Sequence, residues 1–196
     1  MMKNYLLTTA LCLLTAINAF AYSGGNGTVN NPYLISSKAD MEQLASNVNG
    51  GQTYAGIYFL LTRDLTGAND TITTVIGNSG SCYFSGIFDG DGYKVAVKIS
   101  ATGPYVGVFG HVKNGAIKNV GVAGSITRPS ASSTCYVRGI CGYASGCSIS
   151  NCYNTGTVSS FSYYYSYSGG ICGYVSTIDS RFQLYEKRNR MIITLS

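Results

Sequence analysis

Two carboxylates two residues apart, Asp89 and Asp91 in Gly86-Ile87-Phe88-Asp89-Gly90-Asp91-Gly92-Tyr93, are the sharpest candidates for chemistry in this sequence. On one face of a strand such a pair falls within the roughly 5 to 9.5 Å that glycoside hydrolysis uses. The same oxygens are weak candidates for a calcium ion. The interleaved glycines favour a plainer reading, because Asp-Gly steps are strong turn signals. His111 is the single histidine. No nucleophile or metal partner is visible for it, so it reads as a solvent-facing or turn residue. The uncharged run Phe161-Ser162-Tyr163-Tyr164-Tyr165-Ser166-Tyr167-Ser168 offers rings that stack on sugars or dock on proteins. Its binding candidates are Tyr163, Tyr164, Tyr165 and Tyr167. Alternation of the aromatic residues with serines fits an ordinary strand, and only Tyr164 breaks it; that structural reading is preferred. No cofactor motif accompanies these groups.

The elements that position them follow from composition. The chain has 196 residues, 45% apolar and only 11% charged, which specifies a folded domain rather than a charged disordered tail. Twenty-five glycines and 17 tyrosines with no tryptophan favour turns and strands. The net charge of +5 is concentrated near the C-terminus: from Tyr22 to Ser176 eight basic residues face six acidic ones, which leaves +2. Those eight are scattered singly, so nucleic acid is not expected as a partner. Residues 1–21, with Lys3, the apolar run Leu6 to Ala19 and Ala19-Phe20-Ala21, read as a secretory signal cleaved after Ala21. No second apolar stretch is long enough to span a membrane. The expectation is a secreted or cell-surface chain. Its six mature cysteines, Cys82, Cys135, Cys141, Cys147, Cys152 and Cys172, contain no C-x-x-C pair, so zinc is not expected and most of them read as buried hydrophobes.

Residues 22–53 form a lead-in. Pro32 to Ile35 suggests a short edge strand. Met41, Leu44, Ala45 and Val48 recur on one helical face, and Ser37 with Asp40 resembles a capping box, so a helix is expected over Lys38 to Asn49 with Gly50 as its stop. From residue 54 to 176 the pattern changes to short strands and turns with an internal period. Ala116 to Thr127 aligns without gaps on Ser148 to Ser159. Gly107-Val108-Phe109-Gly110, Gly139-Ile140-Cys141-Gly142 and Gly170-Ile171-Cys172-Gly173 repeat with the same spacing to within one position. A unit this short cannot bury its own apolar face, so copies must stack, and it is shorter than a propeller blade. The expected fold is all-β: a right-handed parallel β-helix (β-solenoid) of roughly four to six coils with a short N-terminal capping α-helix. Stacking puts Ile117 on Ile149, Asn119 on Asn151 and Cys141 on Cys172. Gly124 and Gly156 are read as corners, and a Cys141–Cys172 disulfide is conceivable but not required.

The segment Tyr136-Val137-Arg138-Gly139-Ile140-Cys141-Gly142-Tyr143, followed by Gly146-Cys147-Ser148-Ile149-Ser150-Asn151-Cys152-Tyr153-Asn154-Thr155-Gly156-Thr157-Val158, resembles the GLUG motif. That motif occurs in bacterial surface proteins and beside the protease domain of some immunoglobulin-A peptidases, and the lead-in is similar to that of secreted Bacteroidetes proteins. The resemblance implies architecture and carries no catalytic residues. After Val175 the pattern stops, and residues 177–196 turn charged, as in a cap or a truncated or frameshifted member of a longer family; truncation is favoured. The expected function is non-catalytic adhesion or interaction with a host or bacterial surface protein or glycan. The rivals are a carbohydrate-active β-helix using Asp89 and Asp91, and a fragment of a longer surface protein.

Overall fold

A computed structural model describes residues 22–129, 134–161, 166–176, 183–187 and 190–194. The expected signal segment 1–21 lies outside the described residues. Among those described, no helix is long and apolar enough to cross a membrane.

The chain folds as a parallel β-solenoid with one helix at its N-terminal end. Strands β1 (Tyr33–Ile35), β2 (Tyr58–Leu61), β3 (Ile87–Asp89), β7 (Ala116–Lys118) and β11 (Ser148–Ser150) make one five-stranded face, every neighbouring pair parallel. Its inward column runs Tyr33, Phe59, Phe88, Ile117, Ile149, in direct register. Phe59, Phe88, Ile117 and Ile149 are all buried. A second face stacks β4 (Lys94–Ser100) on β8 (Gly121–Arg128), and β8 on β12 (Cys152–Asn154) and β13 (Thr157–Ser160). A third stacks β6 (Phe109–Lys113), β10 (Cys141–Ser145) and β15 (Cys172–Ser176), and a narrow fourth stacks β5 (Tyr105–Val106), β9 (Cys135–Arg138) and β14 (Ser166–Gly169).

About three turns form, fewer than the four to six expected from length. Between β2 and β3 the chain joins the stack only through single bridges at Leu65, Ile72, Ile76 and Phe84, so many residues are spent on turns. At the far end β16 (Gln183–Lys187) and β17 (Arg190–Thr194) form an antiparallel hairpin, and β17 runs antiparallel to β12. The hairpin thereby occupies the free backbone edge of β12, the kind of edge that otherwise recruits other chains.

Helix α1 (Lys38–Asn49) buries Met41, Leu44, Ala45 and Val48. They cover the solenoid's first rung as the apolar face of a terminal cap must. Its start is fixed by Ser37, whose hydroxyl accepts from the Asp40 amide at 3.2 Å while the Asp40 carboxylate accepts from the Ser37 amide at 3.0 Å. The same carboxylate also accepts from the Ser36 amide and from the Ser23 amide and hydroxyl, tying the lead-in to the helix. Burial alone would raise the Asp40 carboxyl, and these hydrogen bonds outweigh it, holding it below its ordinary value of 3.8. With a depressed folded pKa, the stabilisation is complete above about pH 3.8 and is lost as pH falls through the lower folded value. Thermal midpoints followed on acidification should fall in that window for the parent chain and less steeply for Asp40→Asn; identical slopes would remove Asp40 from the linkage.

Candidate functional site

The acidic pair is built into a corner. Asp89 ends β3, and its carboxylate accepts from Lys118 Nζ at 2.9 Å, from Asn119 Nδ2 at 2.9 Å and from the Asp91 amide at 3.0 Å. Burial pushes the Asp89 carboxyl upward, and its partners, Lys118 first, pull it below the ordinary range. Asp91 is exposed, with a left-handed φ of 49°, and Gly92 follows at 85°. Asp89 and Asp91 therefore belong to one turn, Asp91 through its amide, and Asp89 continues as a ladder: Asn119 donates to it, and Asn151 Nδ2 donates to Asn119 Oδ1 at 3.1 Å. Asn119 and Asn151 adopt φ of 56° and 52°, a region asparagine tolerates better than most residues. These asparagines turn the corner that the repeat pattern alone gives to glycine. Gly124 lies inside β8 at φ 106°, and Gly156 has no positive φ; it is small because a Cβ there would stand 2.8 Å from the Gly124 amide nitrogen.

Cys135, Cys141, Cys147 and Cys152 are buried in the interior, and Cys82 and Cys172 are half-buried. Cys141 sits in register between Phe109 and Cys172. All six are free thiols. Burial, reinforced by the neighbouring Cys172 thiol, pushes the Cys141 thiol up; burial likewise takes Cys147 and Cys152 to about 12. Protonated thiols of that kind are poor nucleophiles and poor metal ligands. No group of three or more His, Cys, Asp or Glu is placed to hold a metal among the described residues.

Aromatic side chains gather elsewhere. Tyr105 and Tyr136 are in register on β5 and β9 and stack at 6.1 Å. Tyr143 on β10 lies 4.9 Å from Tyr105 and 6.0 Å from Tyr136, ring centre to ring centre. His111, in register with Tyr143, is the hub: Tyr83, Tyr105 and Tyr143 surround it at 5.3, 5.3 and 5.1 Å. It is 6% exposed, contrary to the solvent-facing reading, because three rings close over it. Its Nδ1 meets the Ser79 carbonyl at 3.2 Å, and burial holds its pKa below 6.5, so the imidazole is neutral at neutral pH. Lys113 lies over the Tyr83 ring at 5.1 Å, close enough for a cation–π contact. The tyrosines themselves are half-buried.

Residues 133–159 match the family model described as the GLUG motif. The chain carries a GLUG motif. No curated protein and no solved structure shows significant similarity to it. The GLUG match covers one winding of the solenoid, from β9 through β10, β11 and β12 into β13. Its paired glycines are points of close approach: a Cβ on Gly142 would stand 2.8 Å from both the Gly110 carbonyl and the Val106 amide nitrogen, and one on Gly139 would press on Asn154 and the Gly170 carbonyl. The GLUG winding also supplies Tyr136 and Tyr143 to the aromatic panel and Asn151 to the corner ladder.

Of the tyrosines singled out in the sequence, Tyr163, Tyr164 and Tyr165 lie outside the described residues. Tyr167 belongs to β14, its backbone in register with Tyr136. The panel residues Tyr83, Tyr105, Tyr136 and Tyr143 are not distinguishable as a group by local pattern. The repeat does find part of them: Tyr105, Tyr136 and Tyr167 occupy equivalent positions in successive windings, and so do His111, Tyr143 and Tyr174.

Proposed function

We propose that this chain is a non-catalytic adhesion or interaction module, exported to the cell surface or beyond, whose partner is a surface glycan or surface protein. The observation that carries it is the aromatic panel. Two register columns, one headed by Tyr105 and one by the buried His111, bring the half-buried rings of Tyr105, Tyr136 and Tyr143 onto one side of the stack. Tyrosine combines a hydroxyl group with apolar ring surface, the combination that makes it frequent in recognition surfaces. Export rests on Lys3, the Leu6 to Ala19 run and the Ala19-Phe20-Ala21 site. The non-catalytic reading is supported by how the reactive groups are used. Asp89 is committed to Lys118, Asn119 and the Asp91 amide, the thiols of Cys141, Cys147 and Cys152 are held protonated, and His111 is enclosed.

The test is binding of the purified mature chain to arrays of host and bacterial surface glycans and proteins. A saturable partner is expected, weakened about tenfold by Tyr136→Ala combined with Tyr143→Ala, a loss typical of central aromatic contacts. Amide spectra of the double variant check that the fold is retained. Binding undiminished in a folded double variant removes the panel from the function, and an array without any saturable signal overturns the reading.

A further inference from the structure

Beside the panel lies a cleft of about 530 Å³ between two loops, residues 73–78 and 100–103, with Tyr105 as one wall. Its volume is in the range of small-ligand sites. Thr73, Thr74, Asn78, Ser100 and Thr102 line it, and among the described residues no charged side chain does. Both lips are clamped, the first by Asn49, itself part of the cleft wall. Asn49, the last residue of α1, donates to the Val75 carbonyl at 2.9 Å and accepts from the Gly77 and Asn78 amides at 2.9 and 3.1 Å, fixing the first loop. Arg128, only 3% exposed at the end of β8, donates to the Gly103 carbonyl at 2.7 Å and the Thr102 carbonyl at 2.9 Å, fixing the second. A cleft whose walls are set before the ligand arrives loses less entropy on binding.

The lining selects the ligand class. An anionic ligand would meet no cation among these lining residues, leaving its charge without a partner as it sheds water. A wholly apolar one would strip water from hydroxyl and amide groups and give nothing back. A nucleic acid needs several cations along its phosphates, and these walls supply none. What fits is a molecule dense in hydroxyls with one apolar face: threonine and serine hydroxyls both donate and accept, although Thr73 already gives its proton to Glu42 Oε1 at 3.0 Å, and the Asn78 amide adds two donors and an acceptor, while Val75, Ala101 and Tyr105 supply the apolar part of the wall. We infer that this cleft is a binding site for an uncharged sugar unit, with Tyr105 as part of its wall and the aromatic panel adjoining it where an oligosaccharide would continue. The inference deepens the proposed function and rests on it only in the choice of a glycan over a protein.

The experiment is titration of the mature chain with neutral hexasaccharides (cello-, xylo-, manno- and malto-series) and with oligogalacturonate, read by calorimetry and by amide shifts. Binding of at least one neutral series is expected, with shifts centred on residues 73–78 and 100–105. Tyr105→Ala is expected to weaken it about tenfold. Thr102→Trp, an exposed site facing the cleft, should abolish it by filling the space without replacing either clamp. Neutral-sugar binding that persists in Thr102→Trp places the sugar outside the cleft and overturns the inference, while a glycan-binding function stands. Binding of oligogalacturonate alone overturns it as well. No binding by any oligosaccharide overturns the cleft assignment, and array binding of a protein in the same preparation shows whether the wider reading survives.

Discussion

Phe88→Ala is expected to destabilise the fold by about 3 to 5 kcal/mol, the range for truncating a fully buried phenylalanine. Phe88 is 0% exposed and sits at the middle of the inward column, between Phe59 and Ile117. Its ring also meets the ring of Phe109 edge-on at 5.3 Å, so it joins two faces as well as two rungs. In a stacked architecture each winding is stabilised mainly by its neighbours, so a cavity at a central rung weakens the coupling on both sides. Urea denaturation followed by far-ultraviolet circular dichroism should show the midpoint falling in proportion. Phe161→Ala, at a side chain 68% exposed, should change stability by less than about 0.5 kcal/mol. A loss below about 1 kcal/mol at Phe88 would mean that the column is not the core.

Gly110→Ala should be nearly as damaging for the opposite reason. A methyl group at this position would press on the Gly77 carbonyl, stand 2.7 Å from Val75 Cγ1 and 2.8 Å from the Tyr105 carbonyl. Two of the three neighbours are backbone, which cannot rotate away, so the stack has to part. Overpacking of this kind costs about 1 to 3 kcal/mol or more. The displaced atoms belong to the first cleft loop and to the Tyr105 strand, so the substitution should also weaken any ligand held there. Comparing Gly110→Ala with Gly80→Ala separates packing from a general loss of glycine, because a Cβ at Gly80 meets nothing within 4 Å. Equal stability of the two variants would contradict the close approach.

Much of this was legible in the residues. A repeat that aligns Ala116 to Thr127 on Ser148 to Ser159 with no helical pattern implied windings, since a strand-turn unit without its own core must share one. Ser37, Asp40 and Gly50 bounded the helix because capping chemistry is local and depends on a few side chains. The Asn119 and Asn151 stacking followed from the period, and only their left-handed φ, which makes them the corner residues, was hidden, because glycine is the commoner carrier of that conformation. The sequence by itself determined the repeat, the stacking of Ile117 on Ile149 and the turn at Asp89 and Asp91, all of which follow from neighbours along the chain or from one fixed offset. Only the tertiary structure decided where His111 goes, that Tyr83, Tyr105 and Tyr143 close around it, and that two loops held by Asn49 and Arg128 leave a polar cleft. Those arrangements join residues from different faces of the winding. Their distances depend on how wide each coil is and where its loops fold back, and no offset along the chain encodes either quantity.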